Sequence, residues 1–183
     1  MRIILGMLLP ISFIACVSPV TSISAEPGWN EVGVRIGYQA NHNHEYFRQY
    51  EAFAAYGLPW KWRSASGWGL TPEVNVSLGA LENGEETGFI GALGTAVALD
   101  KQGYGITTDL GINFDILGKR YFSRLDFGST LQFGAYIGIN YRFDNGIKIG
   151  YRLQHLSNGH IFYPEDTPNP GLDMHMFGIS YVF

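Results

Sequence analysis

From Trp29 to the C-terminus the chain alternates apolar residues with polar or small ones at a period of two, the mark of β-strands whose two faces meet different surroundings. Val32, Val34, Ile36 and Tyr38 alternate with Gly33, Arg35, Gly37 and Gln39. Trp68, Leu70, Val74, Val76 and Leu78 are set against Gly69, Thr71, Glu73, Asn75, Ser77 and Gly79. Phe89, Leu93, Val97 and Leu99 follow, then Tyr104, Ile106, Leu110, Ile112 and Phe114 against Gly105, Thr107, Asp109, Gly111 and Asn113. Leu131, Phe133, Ile137, Ile139, Tyr141 and Phe143 oppose Gln132, Gly134, Gly138, Asn140 and Arg142. The last two strands are read over Ile147 to Ser157 and Asp173 to Phe183, and residues 45–58 are a strand by position with either face eligible as the apolar one. That makes about eight strands of about ten residues, the size of the smallest outer-membrane barrels.

The second face decides what surrounds the first. A soluble sandwich exposes many Lys and Glu, but here that face is Gly, Ser, Thr and Asn with single charges. Only 15% of the 183 residues are charged, against about 25% in an average soluble domain, and 24 are glycine. Such a face suits a narrow lumen, where Arg35, Arg142 and Arg152 are expected to neutralise Glu73 and Asp109, because buried charges must be paired. Aromatic residues gather near strand ends, at Tyr38, Trp60, Trp68, Tyr104, Phe114, Tyr141, Phe143, Tyr181 and Phe183, as interfacial girdles do. The expected fold is therefore all-β, an eight-stranded antiparallel transmembrane β-barrel of the bacterial outer membrane. The alternating Phe177, Ile179, Tyr181 and Phe183 also resemble the C-terminal signature of such barrels.

Connection lengths orient it. Asp100-Lys101-Gln102-Gly103 and Asp144-Asn145-Gly146 are tight turns, Asn-Gly being a strong hairpin signal, whereas residues 115–127 and 158–172 are long. Short turns belong to the periplasm and long loops to the outside.

The first residues read differently. Met1-Arg2, an apolar stretch over Ile3 to Val17 and the small-residue exit Ser22-Ile23-Ser24-Ala25 have the build of a secretory signal cleaved after Ala25, leaving 26–183 as one barrel domain. Phe13-Ile14-Ala15-Cys16 is the loose rival, a lipoprotein processing site. Cleavage removes Arg2 and Cys16, so the mature chain carries neither disulfides nor thiol chemistry. Its mild acidity, with no basic run, leaves no footprint for nucleic acid.

Candidate chemistry lies at one strand end. Along Tyr151-Arg152-Leu153-Gln154-His155-Leu156-Ser157-Asn158, parity puts His155 and Ser157 on the lipid face with Tyr151 and Leu153. Two positions on one face lie about 6–7 Å apart, near enough for an imidazole to activate a hydroxyl after side-chain adjustment. Counting back from Phe183, the same face of the last strand ends in His175 and Asp173. A symmetric hairpin sets Asp173 and His175 opposite Ser157 and His155, and a carboxylate beside an imidazole fixes its tautomer. Polar groups on a lipid face need partners, so this cluster is costly unless it works. His42, His44, His155, His160 and His175 form no close helical pair, and neither a metal nor a cofactor is expected.

Arg152-x-x-His155-x-Ser157-Asn158, followed by Asn169-Pro170-Gly171 and an acid two residues later, resembles the lipid A 3-O-deacylase (PagL) family. The resemblance implies an eight-stranded outer-membrane barrel whose Ser-His-Glu triad hydrolyses the acyl ester at the 3-position of lipid A. It makes Ser157 the nucleophile, His155 the base and Asn169, ahead of Asn158, the oxyanion donor, a role suited to a side-chain amide. This chain has Asp173 where the family pattern has Glu, and Glu165 in the long loop is the alternative acid. Tyr151, Leu153 and Phe177 would bed the acyl chain. The implied partners are lipopolysaccharide and the outer-membrane lipids, with the barrel a monomer or a homodimer.

Two other functions fit the same pattern: an outer-membrane phospholipase, and a non-enzymatic structural or adhesive barrel for which His155 and Ser157 would be dispensable. Whichever holds, the loop lengths predict that a tag inserted within residues 162–168 is labelled on intact cells and one at Asn145 is not. The opposite labelling would turn the barrel over.

Overall fold

A computed structural model describes residues 20–24, 26–40, 46–162 and 164–183. Among these, eight long strands form the barrel: β1 Gly28–Gln39, β2 Arg48–Gly57, β3 Trp68–Glu82, β4 Thr87–Lys101, β5 Ile106–Leu117, β6 Leu131–Arg142, β7 Ile147–Ser157 and β8 Leu172–Val182. Each pairs antiparallel with its chain neighbours, and β8 returns to β1 from Met174↔Gln39 to Val182↔Glu31, so the sheet closes without a free edge. Closure is what a bilayer demands, since no water is present there to satisfy an unpaired N–H or C=O.

The expected alternation is realised strand by strand. Val32, Val34, Leu93, Leu110, Ile112, Ile137 and Ile139 are all exposed on the outer surface, while Glu31, Gly37 and Gln39 face inward and are buried. Of the segment 45–58, whose faces the pattern left open, the described residues 46–58 put Tyr50 and Ala52 outward and Phe47, Gln49, Glu51 and Phe53 inward. The ambiguity came from a lumen that takes Phe53 of this strand and Phe47 just before it.

That strand also changes the lumen's ion pairing. Arg35 pairs with Glu51 at 2.6 Å rather than with Glu73 or Asp109, and Gln49 Nε2 and Ser77 Oγ donate to the same carboxylate at 2.9 and 3.1 Å. Arg152 instead lies over the Tyr136 ring, 4.0 Å from its centroid. Arg142 is exposed at a strand end, Asp109 accepts from Asn140, and Lys148 pairs with Glu31. The strands' tilt and stagger set which inward residues share a level, and sequence spacing within one strand does not carry that information.

At the long-loop end the interior turns apolar. Phe47, Phe122 and Phe127 meet edge to face with centroids 5.6 to 5.8 Å apart, over Leu81, Leu156 and Met174. Phe122 and Phe127 come from the β5–β6 connection, residues 118–130, in which Tyr121–Phe122 and Leu125–Asp126 form a small hairpin folded across the mouth. This cap gives the loops a packed base.

The opposite end carries the tight turns. At Asp144-Asn145-Gly146, Phe143 N–H donates to Ile147 O at 2.8 Å and Gly146 takes a φ of 85°, a three-residue loop with its glycine in the left-handed region. An unforeseen strand, Trp60–Ser64, lies here beside β3. It pairs with Val20–Ser24, a short strand within the expected leader, the rest of which lies outside the described residues. Trp60, Trp68, Tyr104, Tyr141, Tyr181 and Phe183 stand exposed around this rim.

The Arg35–Glu51 pair yields a stability test. Both side chains are nearly buried, at 11% and 4% exposure, so removing one partner strands the other charge. Arg35→Leu or Glu51→Leu is expected to lower the unfolding free energy by about 3–5 kcal/mol, and the double substitution by clearly less than the two together. Urea titration of the detergent-solubilised barrel, followed by heat-modifiable gel migration, reads this directly.

Candidate active site

β7 and β8 bring the singled-out residues to the long-loop end of the outer surface. Their register pairs His155 with Asp173 and Leu153 with His175. A symmetric hairpin would have set Asp173 level with Ser157 instead. The connection closes unevenly, because β8 starts at Leu172 opposite Leu156 while Ser157 is already past the last paired rung of this hairpin. The shift favours the chemistry, since it places imidazole and carboxylate side by side.

His155 Nδ1 lies 2.7 Å from Asp173 Oδ1. The imidazole is half exposed and the carboxylate about one-third exposed, so the pair sits at the surface. Its other edge turns towards Gly171, where a Cβ would stand 3.3 Å from Cε1 and 4.0 Å from Nε2. Gly171 has a φ of 65°, a conformation side chains disfavour, so glycine serves there both to turn the chain into β8 and to leave room for the ring. Ser157 is two residues along β7 on the same face, level with Phe133 of β6. Glu165 lies exposed in the loop, and the carboxylate at His155 is that of Asp173.

The two asparagines have different surroundings. Asn158 is fully buried, and its Nδ2 donates to Phe127 O at 3.1 Å and Pro168 O at 2.8 Å, while its Oδ1 accepts from His160 N–H at 3.0 Å. Its side chain is thereby committed to clasping residues 118–130 and 158–171 together beside Ser157. Gly128, at a φ of 74°, lets the first loop approach Pro168 so closely that no Cβ fits between them. Asn169 Oδ1 accepts the Asn158 backbone N–H at 3.1 Å, which turns its Nδ2 the other way. Asn169 itself is half-buried.

Tyr151, Leu153 and Phe177 share the outer face below the dyad. Tyr151 is not simply an apolar wall: its OH lies 2.7 Å from His175 Nδ1, and its ring packs against Phe177 at 5.2 Å between centroids. A histidine facing lipid is thus given a partner, as its cost there requires. His160 belongs to the loop, with Nε2 2.9 Å from Thr167 O, whereas His42 and His44 lie outside the described residues. The Asn158 clasp and the Tyr151–His175 pair had no sequence signal beyond parity, because both depend on loop packing and cross-strand register.

Comparison with known proteins bears on the family and the fold. A family model described as lipid A 3-O-deacylase (PagL) matches residues 48–182. A protein named lipid A deacylase PagL, from Bordetella bronchiseptica, is 28% identical over 129 residues, covering 68% of this chain and 70% of that protein. The crystal structure of the outer membrane enzyme PagL superposes with a TM-score of 0.70 at 20% identity, over 84% of this chain and 99% of the other, a likeness of fold.

The clasp can be tested without reference to chemistry. Asn158→Leu leaves the Phe127 and Pro168 carbonyls without their donor, each a loss of about 1–3 kcal/mol. Limited proteolysis should then cut within 118–130 and 158–171 at protease levels that spare the parent, with the strands still protected.

Proposed function

The chain belongs to the lipid A 3-O-deacylase (PagL) family, and on that premise we propose that Ser157, His155 and Asp173 form the triad of a serine esterase acting on lipid A in the outer membrane. The observation that carries this reading is the 2.7 Å contact between His155 and Asp173 on a lipid-facing surface, two residues from a serine of the same face. Such a pair is what a nucleophile needs behind it.

Asp173 accepts a hydrogen bond from the Nδ1–H of His155 and so leaves Nε2 unprotonated, as the general base. Ser157 Oγ attacks the carbonyl carbon of the 3-O-acyl ester while its proton passes to Nε2. The oxygen that gains charge takes a hydrogen bond from Asn169 Nδ2, whose own carbonyl is anchored on the Asn158 N–H. Collapse breaks the bond to the sugar oxygen, which leaves with the proton from His155, and an acyl-serine remains. Water, deprotonated by His155, attacks that ester, releasing a 3-hydroxy fatty acid and restoring Ser157. Side chains and water balance every step.

Location supports the same reading. With the long loops outward, the dyad stands at the level where the strands leave the outer leaflet, and the lipid A ester lies just beneath its sugar headgroup. A triad on the outside of the barrel receives that ester laterally. Leu153, with Tyr151 and Phe177 beyond it, offers apolar contact to acyl chains below. An N-terminal leader removed after Ala25 would deliver the barrel to the periplasm.

Mass spectrometry of lipid A from cells with and without the protein tests the activity, expected as loss of one 3-hydroxyacyl group. Ser157→Ala and His155→Ala should each lower turnover by about 10⁴-fold or more with the barrel still heat-modifiable. Asp173→Asn should approach that loss, Asp173→Glu should keep substantial activity, and Glu165→Gln should be near the parent. Inactive Glu165→Gln with active Asp173→Asn would transfer the acid to the loop.

A further inference from the structure

The two long loops dispose of their phenylalanines differently. Phe122 and Phe127 of the 118–130 connection turn inward and are buried in the cap. Phe162 of the 158–171 loop turns outward and stays 68% exposed, with Ile161 exposed beside it. The backbone is built to put them there. Gly159 and His160 both take left-handed conformations, with φ of 59° and 53°, so the chain reverses directly after Asn158. That conformation is uncommon for a residue with a side chain, and three contacts hold His160 in it. Its N–H donates to Asn158 Oδ1 at 3.0 Å, the next N–H, of Ile161, donates to Asn158 O at 3.3 Å, and its Nε2 lies 2.9 Å from Thr167 O.

The reversal brings the Phe162 ring to 5.8 Å from that of Phe133, which is level with Ser157 on β6. Phe133 in turn meets Phe114 of β5 at 5.4 Å, and Phe114 and Ile116 stand exposed on the lipid-facing surface. Phe162 therefore extends the barrel's apolar belt past the ends of the strands. A contiguous apolar patch marks a contact surface, and this one is continuous with a surface that lipid already covers. The far part of the loop has the opposite character. Thr167 N–H donates to Pro164 O at 3.0 Å, and this second turn carries Glu165 and Asp166, both exposed. Two carboxylates are excluded from hydrocarbon, whereas Ile161 and Phe162 leave water by entering it. One loop thus holds an apolar turn and an acidic turn, the division found in segments that lie in a membrane interface.

We propose that the Ile161–Phe162 turn is a membrane anchor, seated in the hydrocarbon of the leaflet at the long-loop end while Glu165 and Asp166 stay among the headgroups. Its partner is the lipid surface. This anchor depends on the barrel's place in the outer membrane and is independent of the esterase reading. Asn158 carries the turn on its side chain and its carbonyl, and the same side chain clasps the 118–130 connection, so the leaflet holds down both loops through one residue.

The test uses the full chain in phosphatidylcholine vesicles, with Cys16→Ser removing the one cysteine of the sequence. A nitroxide is attached in turn at Ile161→Cys, Phe162→Cys, Glu165→Cys and, as the lipid-facing reference, Ile112→Cys, with heat-modifiable migration confirming each barrel. Power saturation compares collisions of the label with oxygen, which concentrates in hydrocarbon, and with a neutral nickel chelate, which stays in water. The ratio of oxygen to nickel collisions at 161 and at 162 should exceed that at 165 by about threefold or more and approach that at 112. Ratios at 161 and 162 equal to that at 165 would leave the turn in water and overturn the anchor. Few collisions with either reagent at 162, with dipolar broadening that disappears on dilution with unlabelled protein, would put a second barrel on the turn and overturn it equally.

Discussion

Backbone hydrogen bonds have no water to turn to inside a bilayer, and every other feature of this protein is arranged around that. The chain answers by closing eight strands on one another, which forces side chains to alternate strictly between lipid and lumen. A polar residue on the outer face is then no accident of a flexible loop; it is held there by the parity of a whole strand. His155, Asp173 and His175 are in that position, and each is partnered within the outer face: imidazole with carboxylate at 2.7 Å, and His175 with the Tyr151 hydroxyl at 2.7 Å. The same constraint that makes these residues expensive makes their geometry rigid.

Rigidity at the site also needs its loops held down. The lumen is polar along most of its length, with Arg35, Glu51, Gln49 and Ser77 joined in one network, and turns apolar only under the long loops. The aromatic cap of Phe47, Phe122 and Phe127 anchors the 118–130 connection there. Asn158 then ties that connection to the 158–171 loop through two carbonyls. Packing inside the barrel thus reaches the outer surface through one buried side chain next to Ser157, and Asn169 takes its orientation from the same asparagine's backbone.

Most of this fold was legible as period-two alternation, and the lipid-facing parity of His155, Ser157, Asp173 and His175 followed from counting along two strands. What counting could not supply was relative height between strands. Asp173 is level with His155 and not Ser157 because of how the 158–171 connection closes, and Arg35 finds Glu51 because tilt and stagger bring β1 and β2 together at that level. Phe47 and Phe53 masked the parity of β2, since a lumen with an apolar cap and a cation resting on a ring, Arg35 over Phe53 at 3.3 Å, admits aromatics that a uniformly polar lumen would not. Loop residues such as Asn158 and Phe127 carried no periodic signal at all.

Relative height has a further consequence for a lipid-facing catalyst. Because strands tilt in a barrel, the rows perpendicular to them are tilted too, so neighbours of His155 on one side lie deeper in the membrane and those on the other lie shallower. A lipid whose headgroup is fixed at the interface can extend its tail only downward. The deeper side here is the one with Ala135 and Ile112, while the shallower side holds Asp173 and the turn at Gly171. The carboxylate therefore stands on the side nearer the headgroups, where its charge is best solvated, and the apolar side chains on the side nearer the hydrocarbon. One tilt thus gives the same histidine a polar side and an apolar side, and the opposite slope would set a carboxylate in the acyl layer.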